Sequence, residues 1–395
     1  MTLTPEEGRR LHILSLLERG QITTAQAAEG LGLTPRQVRR FRRALQRQGP
    51  EGLAHGNRGR RSSQRLPDTL RAQIVALAQG RYAGLKAHHL TEKLTAVEGL
   101  PVSRATVQRL LRAAGLVSPR RRRPPQHRSR RPRRAQAGLL CQLDGSPFAW
   151  FGPTQPACSL LAAIDDAMGA VLAATFRAQE DAAGYLELLR TLGHTVGLPA
   201  AVDPDSHGIF VRNDAHWTLA EELQGYQDRT QVGRVLQALA ITHLVAGSPQ
   251  AKGRVERLWN TFQDRLVAEL RLAGITTMAA GNVFLATTFL PAFNTQFAVP
   301  PAVATTAYRR VPRGWDLDRL CAFHSARQVA ADNTVRVEEI RLQLLPGPRG
   351  RSYAKAAADV VQCLDGAWRV YVRERLVGTL PAPPDPGQLR ARKRR

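Results

Sequence analysis

From Glu6 to Arg19 the apolar residues Leu11, Ile13, Leu14, Leu16 and Leu17 recur near helical period, which predicts a helix at the start of the chain. Gly20 ends it, Thr23 or Thr24 is placed to cap a short second helix through Leu31, and Thr34-Pro35 opens a third with proline at the tolerated first position. Ala28, Gly32 and Val38 fall at relative positions 1, 5 and 11 of a helix-turn-helix. That motif needs a small residue there for close helix approach, a turn glycine and a buried aliphatic. After a polar, glycine-rich joint from Gly49 to Gln64 the pattern recurs, with helices over Pro67–Gln79, Lys86–Ala96 and Ser103–Ala114. Ser103 is a natural cap, and Val107, Leu110 and Leu111 form the inner stripe of a second helix-turn-helix.

Beyond Ala135 the period changes. Leu139–Leu143 reads as a buried strand, and Ser159–Ile164 with Ala170–Phe176 as a hairpin turning through Asp166–Gly169. Helix Asp181–Leu192, strand Ala200–Val202, helix Gln231–Leu239, strand Thr242–Val245 and a long helix from Pro249 follow. Three strands followed by alternating helices and strands predict a mixed α/β layer rather than a sandwich. Past Pro312 the chain becomes irregular, then gives short strands around Thr334–Val337, Val360–Leu364, Trp368–Val372 and Val377–Leu380. Asp365-Gly366 is a hairpin signal between two of them, and a small C-terminal β-barrel is expected.

Charge changes this picture from a fold to a partner. Lys and Arg number 57 against 32 Asp and Glu, a net +25 over 395 residues, which calls for a polyanion, nucleic acid first. Six arginines lie between Arg36 and Arg47, and Arg36, Arg39, Arg40 and Arg43 are the expected contacts to DNA bases or backbone. Nine more fill Arg120–Arg134 together with Pro124, Pro125 and Pro132, a composition that cannot bury enough apolar surface to fold alone. Such a run is either a solvated tail or a linker; between DNA-reading helices and a catalytic-looking region it is read as a strip along phosphates, with Arg120, Arg121, Arg122 and Arg123 among its contacts. No apolar run approaches the ~20 residues of a bilayer span. The start of the chain has no signal-peptide pattern, and no phosphate-cradling glycine loop is present. A cytoplasmic, nucleoid-associated protein using neither membrane nor ATP is expected. Cys141, Cys158, Cys321 and Cys363 lack metal-ligand spacing and are read as core thiols.

In so basic a chain, a few acids stand out by position. Asp144 sits at the end of the first core strand. Asp205 follows the strand Ala200–Val202, and Glu256 lies one turn into the helix opened by Ser248-Pro249. Strand end, strand end and first helical turn can meet at one sheet edge. Three carboxylates can hold two Mg²⁺ or Mn²⁺ ions, each taking one or two carboxylates with water and phosphate, and such a pair cuts and joins phosphodiesters. Val255, Leu258, Trp259, Phe262, Leu266 and Leu270 give the long helix a core stripe, while Lys252 and Glu256 share a neighbouring face. The pair is either an ordinary helical ion pair or a phosphate contact beside a metal ligand.

These residues resemble the transposases of ISNCY-type bacterial insertion sequences. The resemblance rests on Leu143-Asp144-Gly145-Ser146 with Trp150-Phe151, Ile164-Asp165-Asp166-Ala167-x-Gly169 and Asp205-x-His207-Gly208-Ile209-Phe210. It continues through Ser248–Arg257, Gln263-Asp264-Arg265-Leu266-Val267 and Phe293-Asn294-x-x-Phe297, to about Pro312. It implies a retroviral-integrase-like DDE recombinase with an RNase H-like core, a five-stranded mixed sheet with helices on both sides. It further implies two Mg²⁺ or Mn²⁺ ions held by Asp144, Asp205 and Glu256, binding to terminal inverted repeats, and at least a dimer in the reacting complex. Where relatives carry Tyr-Ser, this chain has Asp203-Pro204, so Asp203 rivals Asp205; His207-Gly208-Ile209-Phe210 fixes the register in favour of Asp205. Ser206 stands where a basic residue is common, and Met168 replaces a threonine.

The expected domains are helix-turn-helix modules at 1–60 and 64–118, a basic linker at 119–135, a catalytic core at 136–310, a small β domain at 311–382 and a basic tail at 383–395. Asp165 and Asp166 are read as turn formers, His207 as a neighbour of the acids, Asp214 and His216 as exposed loop residues, and Trp150 and Trp259 as core. His88-His89 lacks the companions of a metal site. Two other functions use the same features: a DNA-binding regulator with a dead recombinase domain, and an RNase H-type nuclease, which the tandem DNA-reading helices disfavour.

Overall fold

The computed structural model describes residues 3–54, 57–58, 65–116, 131–204, 208–212, 215–244, 253–337, 340–383 and 389. The chain divides into two compact units, Met1–Gln73 and Ile74–Arg395.

The first unit contains α1 (Pro5–Glu18), α2 (Thr24–Leu31) and α3 (Pro35–Gln48). Each starts with a threonine whose hydroxyl and a Glu or Gln three residues on satisfy each other's backbone amides: Thr4 with Glu7, Thr23 with Gln26, Thr34 with Gln37. Gly32, at φ 63°, ends α2 in the left-handed conformation that makes the tight turn into α3. Leu14, Leu17, Ala27, Ala28, Val38 and Leu53 close the core.

The helix α4 (Asp68–Gln79) leads into the second unit, where α5 (Ala87–Ala96) and α6 (Arg104–Ala113) follow. Ile74, Ala78, Leu90, Leu94, Val107, Leu110 and Leu111 are buried between them. As the sequence predicts, Ser103 caps α6.

Next come β1 (Cys141–Phe148), β2 (Cys158–Asp165), β3 (Val171–Arg177), α7 (Ala182–Thr195), β4 (Ala201–Asp203), α8 (Leu219–Gln224), α9 (Gln231–Ala238), β5 (Thr242–His243) and α10 (Gly253–Leu272). The strands form one mixed sheet in the order β3-β2-β1-β4-β5; β1, β2 and β3 pair antiparallel, while β4 lies parallel to β1 and β5 parallel to β4. Strand alternation gives the sheet two apolar faces. Leu143, Leu161 and Ala163 pack on one side with Leu186, Leu189, Val232 and Val235 of α7 and α9. Leu160, Ala162 and Ile164 pack on the other with Val255, Trp259, Phe262 and Leu266 of α10. Helices thus cover both faces. On the α10 side, α11 (Met278–Phe284) runs through a π turn, Leu285–Phe289, into α12 (Leu290–Phe297). Asn294 clamps the free edge of β3, its side chain exchanging two 2.8 Å hydrogen bonds with the Val171 backbone.

The strand β1 runs further than its sequence suggests, through Gly145 and Pro147. Proline is tolerated because β1 pairs with β4 only at Cys141 and Gln142 and thereafter, among the described residues, has only β2 beside it. Asp144 therefore lies within the strand rather than at its end.

The last part holds α13 (Leu317–Leu320), β6 (Phe323–Gln328), β7 (Thr334–Val337), β8 (Ile340–Gln343), β9 (Ala357–Gln362), β10 (Trp368–Val372) and β11 (Arg375–Leu380). Among the described residues the pairing gives a four-stranded antiparallel sheet, β11-β10-β9-β6, and a β7–β8 hairpin, and the Leu345 amide just past β8 donates to the Val377 carbonyl of β11 at 2.7 Å. The two share a core of Val335, Leu342, Val360, Trp368 and Val370.

Candidate active site

Period-two alternation sends Leu143 toward α7 and α9, so Asp144 and Ser146 face α10. There Asp144 Oδ2 accepts a 2.6 Å hydrogen bond from Trp259 Nε1, and Gln263 Nε2 donates to Ser146 Oγ at 3.4 Å. Trp259 is buried against Trp150 and Phe262, so its indole is a rigid donor aimed at a half-buried carboxylate. Glu256 precedes Trp259 by three residues, on the adjoining face of the first turn of α10, and is exposed. The indole thereby ties the strand of Asp144 to the helix that bears Glu256.

Parallel pairing runs β1, β4 and β5 in one direction, with β4 and β5 ending beside the first half of β1. Asp203 closes β4 opposite Gln142, and His243 closes β5 opposite Val202. Burial lowers the His243 imidazole pKa, against the opposing pull of the Asp203 charge, so these two groups sense each other. No motif in the sequence singles out His243. Asp205 and His207 lie outside the described residues, as do Lys252 and Arg120, Arg121, Arg122 and Arg123.

Asp165 and Asp166 are completely buried and fully engaged. Asp165 accepts from the Gly138 and Met168 amides and the Tyr308 hydroxyl, at 2.8–2.9 Å. Asp166 binds the guanidinium of Arg131 at 2.5 Å, that of Arg254, and the Arg134 amide at 2.9 Å; Arg254 in turn donates to the Arg131 carbonyl. Arg254 is two residues before Glu256. A buried charge thus ties the segment entering the sheet to the start of the helix bearing Glu256, an arrangement the turn reading of these aspartates does not contain.

On α3, Arg36, Arg39, Arg40 and Arg43 are all exposed, spaced three and four apart on the face opposite Val38. That is the helix a helix-turn-helix presents to the major groove.

The winged helix-turn helix family matches residues 10–72. A putative transposase, y4bF, of Sinorhizobium fredii (strain NBRC 101917 / NGR234) is 37% identical over 348 residues, covering 87% of this chain and 74% of its own. The transposase for insertion sequence IS1202 of Streptococcus pneumoniae is 27% identical over 413 residues, covering 94% of this chain and 86% of its own. The chain belongs to the insertion-sequence transposases. Among solved structures, a chain of the simian T-cell lymphotropic virus intasome in complex with PP2A regulatory subunit B56 gamma aligns with 78% of this transposase and 99% of itself, at 14% identity and a TM-score of 0.31. So low a score carries no weight for fold or activity.

All four cysteines are buried and free; burial raises their thiols, Cys158 to about 11 and Cys321 to about 12, far from a thiolate at neutral pH. His88 pairs with Glu92, and His89 Nε2 meets Glu269 Oε1 at 2.6 Å. His216 is exposed, and Asp214 lies outside the described residues. Among the described residues no helix is long and apolar enough to cross a membrane.

Proposed function

We propose that this transposase is a DDE recombinase with an RNase H-like core: it binds the terminal inverted repeats of its element, cleaves a phosphodiester there and transfers the freed 3′-hydroxyl to target DNA. The strand order β3-β2-β1-β4-β5, antiparallel then parallel, with helices on both faces, supports the fold reading. The observation that carries the catalytic reading is the bond from Trp259 Nε1 to Asp144 Oδ2, which draws the helix of Glu256 onto the strand of Asp144.

The donors suit a hard divalent cation: carboxylate oxygens from a half-buried strand residue and an adjacent helix turn, with one carboxylate oriented by a fixed indole. Asp144, Glu256 and Asp205, two residues past β4 in the sequence, would hold two Mg²⁺ or Mn²⁺ ions. Bound there, the cations would supply Lewis-acid stabilisation of the attacked phosphate and the leaving oxygen. The protein's own part is placement. Trp259 holds the Asp144 carboxylate, Asp166 and Arg254 fix the first turn of α10, and the stripe Arg36, Arg39, Arg40 and Arg43 selects and orients duplex. The arginines Arg120 to Arg123 and Lys252 are assigned to phosphates, and His207 to the surroundings of Asp205. At least a dimer holds both element ends.

A labelled duplex carrying an element end, incubated with the full chain and Mn²⁺, tests this. Metal-dependent nicking that Asp144→Asn abolishes is the expected result; tight binding without cleavage would instead make the chain a DNA-binding regulator, and preferential cutting of RNA–DNA hybrid a nuclease.

A further inference from the structure

A cleft of about 650 Å³ opens between the second helical module and α10, lined by Gln108 and Arg112 of α6, Phe148 of β1, and Asn260 and Gln263 of α10. It continues the candidate active site. On β1, Asp144, Ser146 and Phe148 share one face by alternation; on α10, Glu256, Asn260 and Gln263 share one face at spacings of four and three. Along the strand, Phe148 lies about 13 Å from Asp144. Asn260 is one helical turn, about 6 Å, from Glu256.

The lining combines an exposed aromatic with polar and cationic side chains. Phe148 is 38% exposed, braced edge-on by buried Trp150 at 5.4 Å between ring centroids. The Arg112 guanidinium has no partner among the described residues, whereas neighbouring charges are paired: Lys86 with Asp264, Lys93 with Glu269, Arg265 with Glu92. Gln108 is exposed and offers an amide donor and acceptor, and Asn260, also exposed, is oriented by its donation to the Glu256 carbonyl. An exposed aromatic face, amide donors and acceptors, and an unpaired cation are what a single nucleotide needs: stacking, base-edge hydrogen bonds and phosphate neutralisation. The volume fits one small-molecule-sized ligand, within the roughly 300–1,000 Å³ of such sites, and is too small for a duplex.

We infer that this cleft receives one unpaired nucleotide of the DNA strand passing through the active site, its base stacked on Phe148 and its phosphate at Arg112. The strand is thus locally unpaired beside the cleavage point, and α6 contributes to strand capture as well as to duplex reading. This deepens the transposase reading and rests on it for the identity of the ligand as DNA.

The probe is a single-stranded oligodeoxyadenylate containing one 5-iododeoxyuridine, photo-crosslinked to the full chain and mapped by mass spectrometry. An adduct on Phe148 is expected in the wild type and equally in Asp144→Asn. Phe148→Ala should weaken binding about ten-fold, the scale of one base stacked on an aromatic ring, and Phe148→Trp should restore it. Because Phe148 braces Trp150, Arg112→Glu, on the exposed face of α6, provides an independent variant, expected to cut the Phe148 adduct several-fold. Adducts confined to other segments, or a Phe148 adduct indifferent to Arg112→Glu, would overturn the inference. A Phe148 adduct without Mn²⁺-dependent nicking would leave it standing and count against the catalytic reading alone; nicking with the cleft unlabelled would do the reverse.

Discussion

Replacing Asp166 by Asn should be among the most disruptive single-atom changes in the transposase. The carboxylate is completely buried and serves two guanidinium groups and one amide. Asparagine keeps the shape and one acceptor but turns an N–H₂ toward donors. Removing one member of a buried ion pair costs about 3–5 kcal/mol, because the remaining charge is left uncompensated. Here the side chains of Arg131 and Arg254 keep 28% and 16% exposure, so water offsets part of that loss and about 3 kcal/mol is expected. At about 2 °C per kcal/mol for a domain of this size, thermal unfolding should fall by about 6 °C. Tryptophan fluorescence suits the assay, since Trp150 and Trp259 sit in the core between the sheet and α10. Arg254→Gln should cost less, and the double variant less than the sum, because both changes break one contact. A shift below about 1 °C for Asp166→Asn, or strict additivity, would refute the clamp.

Three further outcomes follow from the same structure. Trp259→Phe preserves the ring packing but deletes the donor to Asp144, and should reduce Mn²⁺-dependent nicking about ten-fold with little change in unfolding; unchanged cleavage would show the indole bond to be idle. Each alanine at Arg36, Arg39, Arg40 or Arg43 that removes a phosphate contact should lower the slope of log affinity against log salt by about one, read by fluorescence anisotropy; an unchanged slope for all four would move the DNA surface elsewhere. The Glu221 carboxyl is held down to about 2, from an ordinary 4.5, chiefly by the Thr218 and Asp228 amides against the opposing effect of burial, with help from the Thr218 hydroxyl and the Arg212 charge. A lowered folded-state value means its contribution is complete above pH 4.5 and lost as pH falls toward 2. Hydrogen exchange around α8, corrected for intrinsic rate, should rise across that window in the wild type and lose its pH dependence in Glu221→Gln.

How far the chain could be read from its sequence differs by element. The N-terminal helices were legible because their signals are local: Thr34 caps with Gln37 three residues on, and Gly32 alone accounts for the turn. The strand β2 was legible because its residues are buried throughout and its turn is short. The full length of β1 was not, since Gly145 and Pro147 read as breakers, and only the pairing shows that β4 is too short to reach them. The strand β6, Phe-His-Ser-Ala-Arg-Gln, was missed because only its first residue is large and buried. At the site, Asp144 and Glu256 were singled out by their places at a strand end and in a first helical turn, together with the family resemblance. The contacts that tie β1 and the β2–β3 turn to α10 were invisible, because Trp259 meets Asp144 across 115 residues and Arg254 meets Asp166 across 88, contacts that no local pattern encodes.

The most direct test of the account is anomalous diffraction from crystals of the transposase bound to a DNA end in the presence of Mn²⁺. It predicts two manganese peaks about 3.5–4 Å apart. Oxygens of Asp144, Asp205 and Glu256 should surround them at about 2.1 Å. Manganese at any other cluster of side chains, or these three carboxylates more than about 10 Å from one another in the DNA complex, would contradict it.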